Sequence, residues 1–203
     1  MNLVLASQSP ARLQTLKHAG LHPQVRVANV DEAALLAKAK DLPTTGKVAN
    51  LAKAKAQKIA ASDDFSTPTC IVGCDSMLLI GSELVGKPHT AEVARNRWQK
   101  MRGKTGTLLT GHYLLVGTSG NWQEKGETAS TTVHFANLSD AEIYAYVATG
   151  EPLEVAGAFT VDSLGGAFVT GIEGDFHSVV GISLPLLRQM YTELGGFWPD
   201  LWK

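Results

Sequence analysis

The sequence predicts an α/β fold in which helices flank a mixed sheet. Short apolar strands alternate with helices, and hairpins in the middle of the chain need no crossover helix. Hydrophobic residues make up 44% of the 203 residues, which is enough for a packed core. A chain of this length fits one domain that can contain two lobes, so we predict a single domain over residues 1–203.

The first forty residues predict a strand, a helix, a second strand and a second helix. Residues 3–6 are an apolar run typical of a short buried strand. Ser9-Pro10 is typical of a helix start, with serine as N-cap and proline in the first turn, and Gly20 ends that helix. A strand over 24–27 follows, and residues 29–32 open an alanine-rich helical stretch.

The next segment predicts a long helix, a buried strand and a hairpin. A loop over residues 43–46 precedes a helix from 47 to about 62, which is rich in alanine and lysine. Residues 70–74 are β-branched and apolar, which indicates a buried strand, and residues 77–85 predict a hairpin that turns at 81–82.

The second half continues the alternation. Residues 90–101 predict a helix, and the stretches 108–118 and 128–135 flank a turn and are expected to pair as antiparallel neighbours. A capping box opens a helix over 139–150, and a final helix begins near residue 185 after a glycine-rich stretch.

Composition excludes several classes of partner. The formal net charge is −1 and the sequence pI is about 6.6, so we expect no nucleic-acid partner and no acidic membrane surface as ligand. No apolar run approaches the length of a membrane span, and we expect a cytoplasmic protein. The only cysteines, Cys70 and Cys74, lie in an apolar run and are expected to be buried thiols without a disulfide or zinc.

The first candidate site is the strand-to-helix turn that contains Ser7, Ser9 and Arg12. A helix N-terminus offers unsatisfied N–H groups and partial positive charge, serines add donors, and an arginine can bind two phosphate oxygens. A capped helix with a surface arginine would show much of the same pattern. The residues alone therefore leave a phosphate site and a simple capped helix open.

Lys55 is the second candidate, because it interrupts the apolar face of its helix. At 100° per residue it falls in the middle of a stripe of small and apolar side chains. That stripe consists of Val48, Leu51, Ala52, Ala56 and Ile59. Such a lysine either extends along the edge of the core to solvent or directs its ammonium into a cleft that holds an anion.

Carboxylates supply the third candidate. Asp75 follows the strand over 70–74, at a position where open α/β sheets commonly bind ligands, and it can hold magnesium or deprotonate water, or simply cap a turn. Asp31-Glu32 offers a second carboxylate, and Lys87 and Lys104 offer cations on glycine-flanked loops. Glu173-Gly174-Asp175 is either a second metal position or a turn.

Cations that bind phosphate oxygens and carboxylates that hold a metal and prepare water are what polyphosphate hydrolysis requires. Neither a Walker-type phosphate loop nor a dinucleotide-binding glycine motif is present.

Taken in order, the motifs of this chain resemble those of the Maf family of nucleotide pyrophosphatases. The resemblance spans nearly the whole chain, and the ordered series is far more specific than any one motif. The matching segments are Leu5-Ala6-Ser7-Gln8-Ser9-Pro10-Ala11-Arg12, Val30-Asp31-Glu32, Leu51-Ala52-Lys53-Ala54-Lys55-Ala56, Val72-Gly73-Cys74-Asp75, Gly86-Lys87-Pro88, Gly103-Lys104-Thr105, Thr110-Gly111, Glu151-Pro152, Ala156-Gly157, Ile172-Glu173-Gly174-Asp175 and Val180-Gly181-Ile182-Ser183-Leu184-Pro185.

The resemblance implies an elongated α/β fold similar to that of inosine-triphosphate pyrophosphatases, with two lobes around a cleft. It also implies hydrolysis of the α–β phosphoanhydride of a nucleoside triphosphate to monophosphate and pyrophosphate, assisted by magnesium, with manganese or cobalt as alternatives. Asp75 would accept the proton, and Glu32 and Asp75 would hold the metal. The substrate would be bound by Ser7, Ser9, Arg12, Lys55 and Lys87. Dimerisation is a further expectation at the level of the family.

Three positions correspond to the family's specificity residues: Ala11, Ser76 and Asp162. Pyrimidine-specific members of the family have Arg, Thr and Gln at these positions, whereas members specific for methylated guanine have an acidic residue at the last one. Asp162 therefore favours a purine-type base, because a carboxylate accepts N–H donors such as those on a guanine edge. Ala11 and Ser76 match neither set.

Two other functions stay open. The family has been linked to arrest of septum formation, so a nucleotide-binding regulator of cell division without turnover is one alternative. A phosphohydrolase that releases the γ-phosphate is the other. The intact set of Asp75, Lys55 and Lys87 favours an enzyme over a binding protein.

Overall fold

The computed structural model describes residues 1–202 and has a mixed α/β architecture, as the sequence predicts. Short 3-10 turns fill several connections in the last third of the described chain. The strands are β1 (Asn2–Leu5), β2 (Gln24–Val25), β3 (Thr69–Ile80), β4 (Glu83–Val85), β5 (Thr105–Thr118), β6 (Asn121–Phe135) and β7 (Val169–Glu173). The helices are α1 (Pro10–His18), α2 (Glu32–Lys38), α3 (Thr44–Ala60), α4 (Ala91–Met101), α5 (Asp140–Ala148), α6 (Phe176–Val180) and α7 (Leu184–Glu193).

The seven strands form one sheet in the order β2-β1-β3-β5-β6-β7, and β4 pairs with β3 outside this path. β1 pairs in parallel with both β2 and β3, whereas β4 and β7 pair antiparallel with β3 and β6. The sheet is therefore mixed. The β3–β4 hairpin turns over Gly81 and Ser82 as predicted, with Ile80 opposite Glu83, and Gly81 has the positive φ of 58° that favours glycine in a tight turn.

The chain divides into two compact units. The first unit contains residues 1–75, 110–129 and 181–203, and the second contains residues 76–109 and 130–180. Whether they act as one domain stays a prediction.

In the first unit, helix α3 packs closely on strand β3. The face of α3 that is buried is the one that the sequence predicts, with Val48, Leu51, Ala52, Ala56 and Ile59 inside. Gly73 of β3 has no room for a side chain, since a Cβ there would lie 2.1 Å from the carbonyl oxygen of Ala52. Backbone therefore lies against backbone, and this contact fixes where α3 holds Lys55.

In the second unit, Trp98 of α4 is the centre of the core. Its ring meets Phe135, Tyr146 and Phe168 edge to face at 5.8–5.9 Å, and its indole Nε1 donates to the carbonyl oxygen of Ala158 at 2.7 Å. These contacts join α4 to β6 and α5, so this unit has its own apolar core.

Two predicted boundaries are wrong. Residues 44–46 are not a loop, because α3 begins at Thr44 with Pro43 as its N-cap. Asp75 does not follow the end of a strand either, because β3 continues without a break to Ile80. Parallel pairing between β1 and β3 ends at Val72, so Asp75 lies three residues beyond the part of β3 that β1 covers.

Other elements differ in extent. Strands β5 and β6 begin earlier than predicted, β2 has only two residues, and β7 was not predicted from the glycine-rich stretch. The helix caps at Ser9 and Ser139 are confirmed, and Ser183 caps the final helix, which begins at Leu184. Both cysteines are buried free thiols, as predicted.

No helix within residues 1–202 has the length and apolar character needed to cross a membrane.

Candidate active site

The turn between β1 and α1 has the hydrogen bonds of a capped helix and a buried arginine. Ser9 is the N-cap of α1, and its hydroxyl accepts from the backbone N–H of Arg12 at 3.4 Å. The hydroxyl of Ser7 accepts from Arg12 Nη1 at 3.0 Å and from the backbone N–H of Ser9 at 3.2 Å. The three predicted phosphate ligands of this turn are thus in contact with one another at the positive end of a helix.

Arg12 is only 9% exposed, which rules out the alternative of a simple surface arginine. Its Nε donates to the carbonyl oxygen of Gly181 at 2.7 Å, and that oxygen lies 3.2 Å from the Sγ atom of Cys74. Gly181 has a φ of 134°, and a Cβ there would lie 3.3 Å from Arg12 Cγ. Gly181 therefore positions the guanidinium from a point 169 residues away in the sequence.

Lys55 makes ion pairs with two carboxylates. Its Nζ contacts Asp75 Oδ1 and lies 2.7 Å from Glu32 Oε1. The side chains of Lys55 and Asp75 are 12% and 10% exposed, whereas that of Glu32 is 53% exposed. Lys55 therefore does not extend to solvent along the core edge, since its ammonium is held between two anions.

Burial sets the acidity of this pair. Burial raises the pKa of the Asp75 carboxyl, and the nearby positive charges of Lys55 and Arg12 offset only part of this effect. Burial and the nearby charge of Arg12 lower the pKa of Lys55, but the contacts with Asp75 and Glu32 together outweigh them and the pKa is raised. Asp75 is thus a stronger base than an ordinary aspartate, and Lys55 stays charged.

Charge in this cluster is balanced. Arg12 and Lys55 supply two positive charges, and Glu32 and Asp75 supply two negative charges. Since Glu32 and Asp75 contact the same ammonium group, their oxygens converge on one point where a cation is stabilised. Two convergent carboxylates fit a hard divalent metal ion whose other ligands are phosphate oxygens and water. Within residues 1–202, the structure contains no group of three or more His, Cys, Asp or Glu side chains that could hold a metal ion.

The predicted site residues are divided between the two units. Ala11 lies on α1 in the first unit, but Ser76, Lys87 and Asp162 belong to the second unit. Lys87 is exposed and lies 3.6 Å from Glu154 Oε2, so its ammonium has an acidic neighbour of its own. Asp162 is exposed.

The remaining charged candidates lie in the second unit. Lys104 lines an open groove together with Lys100 and His134. Glu173 contacts His134 at 2.8 Å, and Asp175 Oδ1 accepts from the backbone N–H of His177 at 3.0 Å, where α6 begins. Glu173 is thus the last residue of β7, and Asp175 comes directly before α6.

Two residues that the structure singles out had no role in the sequence analysis. Gly181 holds Arg12, and Glu151 accepts hydrogen bonds from a loop that includes Asp162. Both lie in segments that match family motifs, but only the tertiary contacts show what they do. No other feature of the sequence points to Gly181 or to Glu151.

The fold and the site define an α/β protein with a buried arginine at the start of a helix and a buried, lysine-paired carboxylate. Comparison with known proteins then identifies the family. The family described as Maf-like protein matches residues 2–194, and the chain belongs to that family.

Curated relatives span almost the whole chain. Proteins named nucleoside triphosphate pyrophosphatase from Rhodococcus opacus and Nocardia farcinica are 51% and 50% identical, and each comparison covers 99% of this chain and 96% of the relative. The protein of the same name from Streptomyces coelicolor is 49% identical, over 98% of this chain and 94% of the relative.

Proposed function

We propose that this protein is a nucleoside triphosphate pyrophosphatase that cleaves the bond between the α- and β-phosphates. The observation that carries the proposal is the buried Asp75 carboxylate, paired with Lys55 and coupled electrostatically to Arg12. Relatives at about half identity, which share nearly the full chain, carry that name. Neither a cation cluster alone nor a carboxylate alone would support hydrolysis of a polyphosphate.

The cations bind the triphosphate in this proposal. Arg12 and the first turn of α1 bind phosphate oxygens together with Ser7 and Ser9, because a guanidinium, hydroxyl groups and the positive end of a helix complement them. Lys55 exchanges its contact with Glu32 for a contact with a phosphate oxygen and keeps its ion pair with Asp75. Lys87 contributes a further cation, as the resemblance implies.

Asp75 is the general base. It accepts a proton from a water molecule whose oxygen forms the new bond to phosphorus, and the bond between the α- and β-phosphates breaks to release pyrophosphate. Burial raises the pKa of Asp75, which strengthens it as a proton acceptor. Lys55 holds this carboxylate in place through their ion pair.

A divalent metal ion completes the proposed site, with magnesium favoured and manganese or cobalt as alternatives. Glu32 and Asp75 would hold it together with phosphate oxygens of the substrate. When bound, the metal ion would supply positive charge to the substrate oxygens. It would also offset the two carboxylates, which otherwise balance Arg12 and Lys55 and leave no net positive charge for a polyanion.

Base selection is assigned to Ala11, Ser76 and Asp162. The Asp162 carboxylate favours a purine-type base with N–H donors. We also keep the expectations of a cytoplasmic protein without a nucleic-acid or membrane partner, and of a homodimer.

The test is product identity in a panel of ordinary and modified nucleoside triphosphates with magnesium, with pyrophosphate and phosphate measured in parallel. Asp75→Asn is expected to lower turnover by about a hundredfold or more while the protein stays folded. Asp63→Asn is the matched control, because Asp63 is an exposed aspartate in the first unit that pairs with Arg26. Full turnover by Asp75→Asn would remove Asp75 as the base. Phosphate as the product would indicate γ-phosphate release, and no product from wild type would favour the binding-protein alternative.

A further inference from the structure

Glu151 holds one loop of the second unit through five hydrogen bonds. Its Oε1 accepts from the hydroxyls of Thr160 at 2.5 Å and Tyr146 at 2.9 Å and from the backbone N–H of Gly165 at 2.9 Å. Its Oε2 accepts from the hydroxyl of Ser163 at 2.8 Å and from the backbone N–H of Leu164 at 3.2 Å. One carboxylate thus satisfies donors from both ends of residues 160–165, which we name the Asp162 loop.

Close packing adds to this restraint. A Cβ at Gly165 would lie 2.4 Å from the Tyr146 hydroxyl and 2.7 Å from the carbonyl oxygen of Thr160. A Cβ at Gly166 would lie 2.7 Å from the carbonyl oxygen of Val161. The loop is therefore folded tightly around the carboxylate.

The outer part of the loop differs from its base. Thr160 is half-buried and Gly165 is buried, whereas Asp162, Ser163 and Leu164 are exposed. The Asp162 carboxylate is not among the groups that Glu151 holds. An exposed carboxylate on a restrained loop is a preorganised acceptor for a ligand with N–H donors, because little conformational freedom is lost when it binds.

We infer that Glu151 is a positioning residue for base selection, which fixes the Asp162 loop so that Asp162 is presented to the base of the nucleotide. This inference rests on the proposed function for the assignment of Asp162 to the base. Glu151 acts through the loop and does not touch the substrate. The arrangement requires a carboxylate, because both of its oxygens accept hydrogen bonds. In a glutamine one of these oxygens would be an NH2 group, whose N–H donors would face the donors that now bind that oxygen.

The test compares Glu151→Gln, Asp162→Asn and the double variant. Binding of GTP, ATP, CTP and UTP is measured with magnesium in the Asp75→Asn background, so that the nucleotides are not consumed. Both single variants are expected to change the ratio of the tightest to the weakest affinity in the same direction, by about tenfold, which corresponds to one hydrogen bond with a charged group. The double variant is expected to change the ratio no further than either single variant.

Glu142→Gln is the matched control, since Glu142 is another hydrogen-bonded carboxylate in the second unit and closes the capping box of α5. Its affinity ratios should remain those of the parent. Hydrogen exchange at the amides of Leu164 and Gly165 should accelerate in Glu151→Gln and not in Glu142→Gln.

Two results would overturn the inference. One is an affinity profile of Glu151→Gln that equals the parent's although these amides exchange faster, and the other is a profile that Asp162→Asn leaves unchanged. Because the readout is nucleotide binding, the two tests are separate. A wild-type protein that releases no pyrophosphate would contradict the proposed function, whereas the affinity ratios alone decide whether Glu151 positions the Asp162 loop.

Discussion

At the scale of single residues, Lys55 has the most direct consequence. Its ammonium is held between Asp75 and Glu32 in the free protein and is assigned to a phosphate in the proposed complex. Lys55→Met keeps the apolar stem and removes the charge, so KM for a triphosphate should rise by about tenfold or more. Lys58→Met, on an exposed position of the same helix, is the control and should leave KM unchanged. An unchanged KM in Lys55→Met would make Lys55 a structural partner of Asp75 only.

Glu151 gives a prediction about acid stability. Burial by itself raises the pKa of Glu151, but the hydrogen bonds led by Thr160 outweigh it and lower the pKa from its ordinary 4.5 to about 2. A carboxylate with a depressed pKa stabilises the fold above its unfolded pKa, and the contribution is lost as the pH falls towards the folded value. The free energy of unfolding should therefore decrease as the pH is lowered from about 4.5 to about 2.

Chemical unfolding of wild type and Glu151→Gln at a series of pH values across this window measures the effect. The variant should lack the part of the slope that Glu151 contributes. Equal slopes in the two proteins would show that the Glu151 hydrogen bonds do not favour the ionised carboxylate.

At the scale of elements, local signals were read correctly from the sequence. The N-cap at Ser9, the capping box at Ser139 and the turn at Gly81 each depend on side chains within a few residues, and all three are confirmed. Pro43 and Gly46 suggested a loop, but the structure uses Pro43 as the N-cap of α3 and includes Gly46 in its first turn. Breaker residues near a helix start do not by themselves say on which side the helix begins.

The path of β3 depends on its neighbours. Polar Asp75 and Ser76 suggested the end of a strand, yet β3 continues because β5 lies beside it in the sheet and β4 pairs with its last residues. Such partners are distant in sequence and leave no local pattern. The boundary at Asp75 could therefore not be predicted, although Asp75 itself could be singled out.

Contact between α3 and β3 gives a prediction at this scale. Gly73→Ala would place a methyl group 2.1 Å from the carbonyl oxygen of Ala52, so α3 must move away from the sheet. We expect a loss of stability of about 3 kcal/mol, together with a higher KM because Lys55 moves with the helix. Thermal or chemical unfolding and steady-state kinetics measure the two effects.

Gly171→Ala is the control for this change, because Gly171 is also a strand glycine but the nearest atom to its added methyl group would be Cδ2 of His134 at 3.4 Å, an ordinary contact distance. It should change the stability by less than about 1 kcal/mol. A Gly73→Ala protein as stable as Gly171→Ala would contradict the close backbone contact.

At the scale of the whole molecule, the fold class and the family were predictable, but the geometry of the site was not. The alternation of strands and helices predicts a mixed sheet, and the series of motifs agrees with the Maf-like family that covers residues 2–194. The contact of Arg12 with Gly181 joins segments 169 residues apart, and that of Lys55 with Asp75 joins α3 to β3. Only the folded chain shows that these groups share one electrostatic environment.

Which phosphoanhydride bond is broken tests the central claim most directly. Wild-type protein with magnesium is given two analogues of its preferred triphosphate, one with a methylene group between the β- and γ-phosphates and one with a methylene group between the α- and β-phosphates. Cleavage between the α- and β-phosphates predicts that the first analogue is converted to the monophosphate and that the second is left intact. Release of phosphate from the second analogue, with the first resistant, would contradict the account and indicate an enzyme that removes the γ-phosphate.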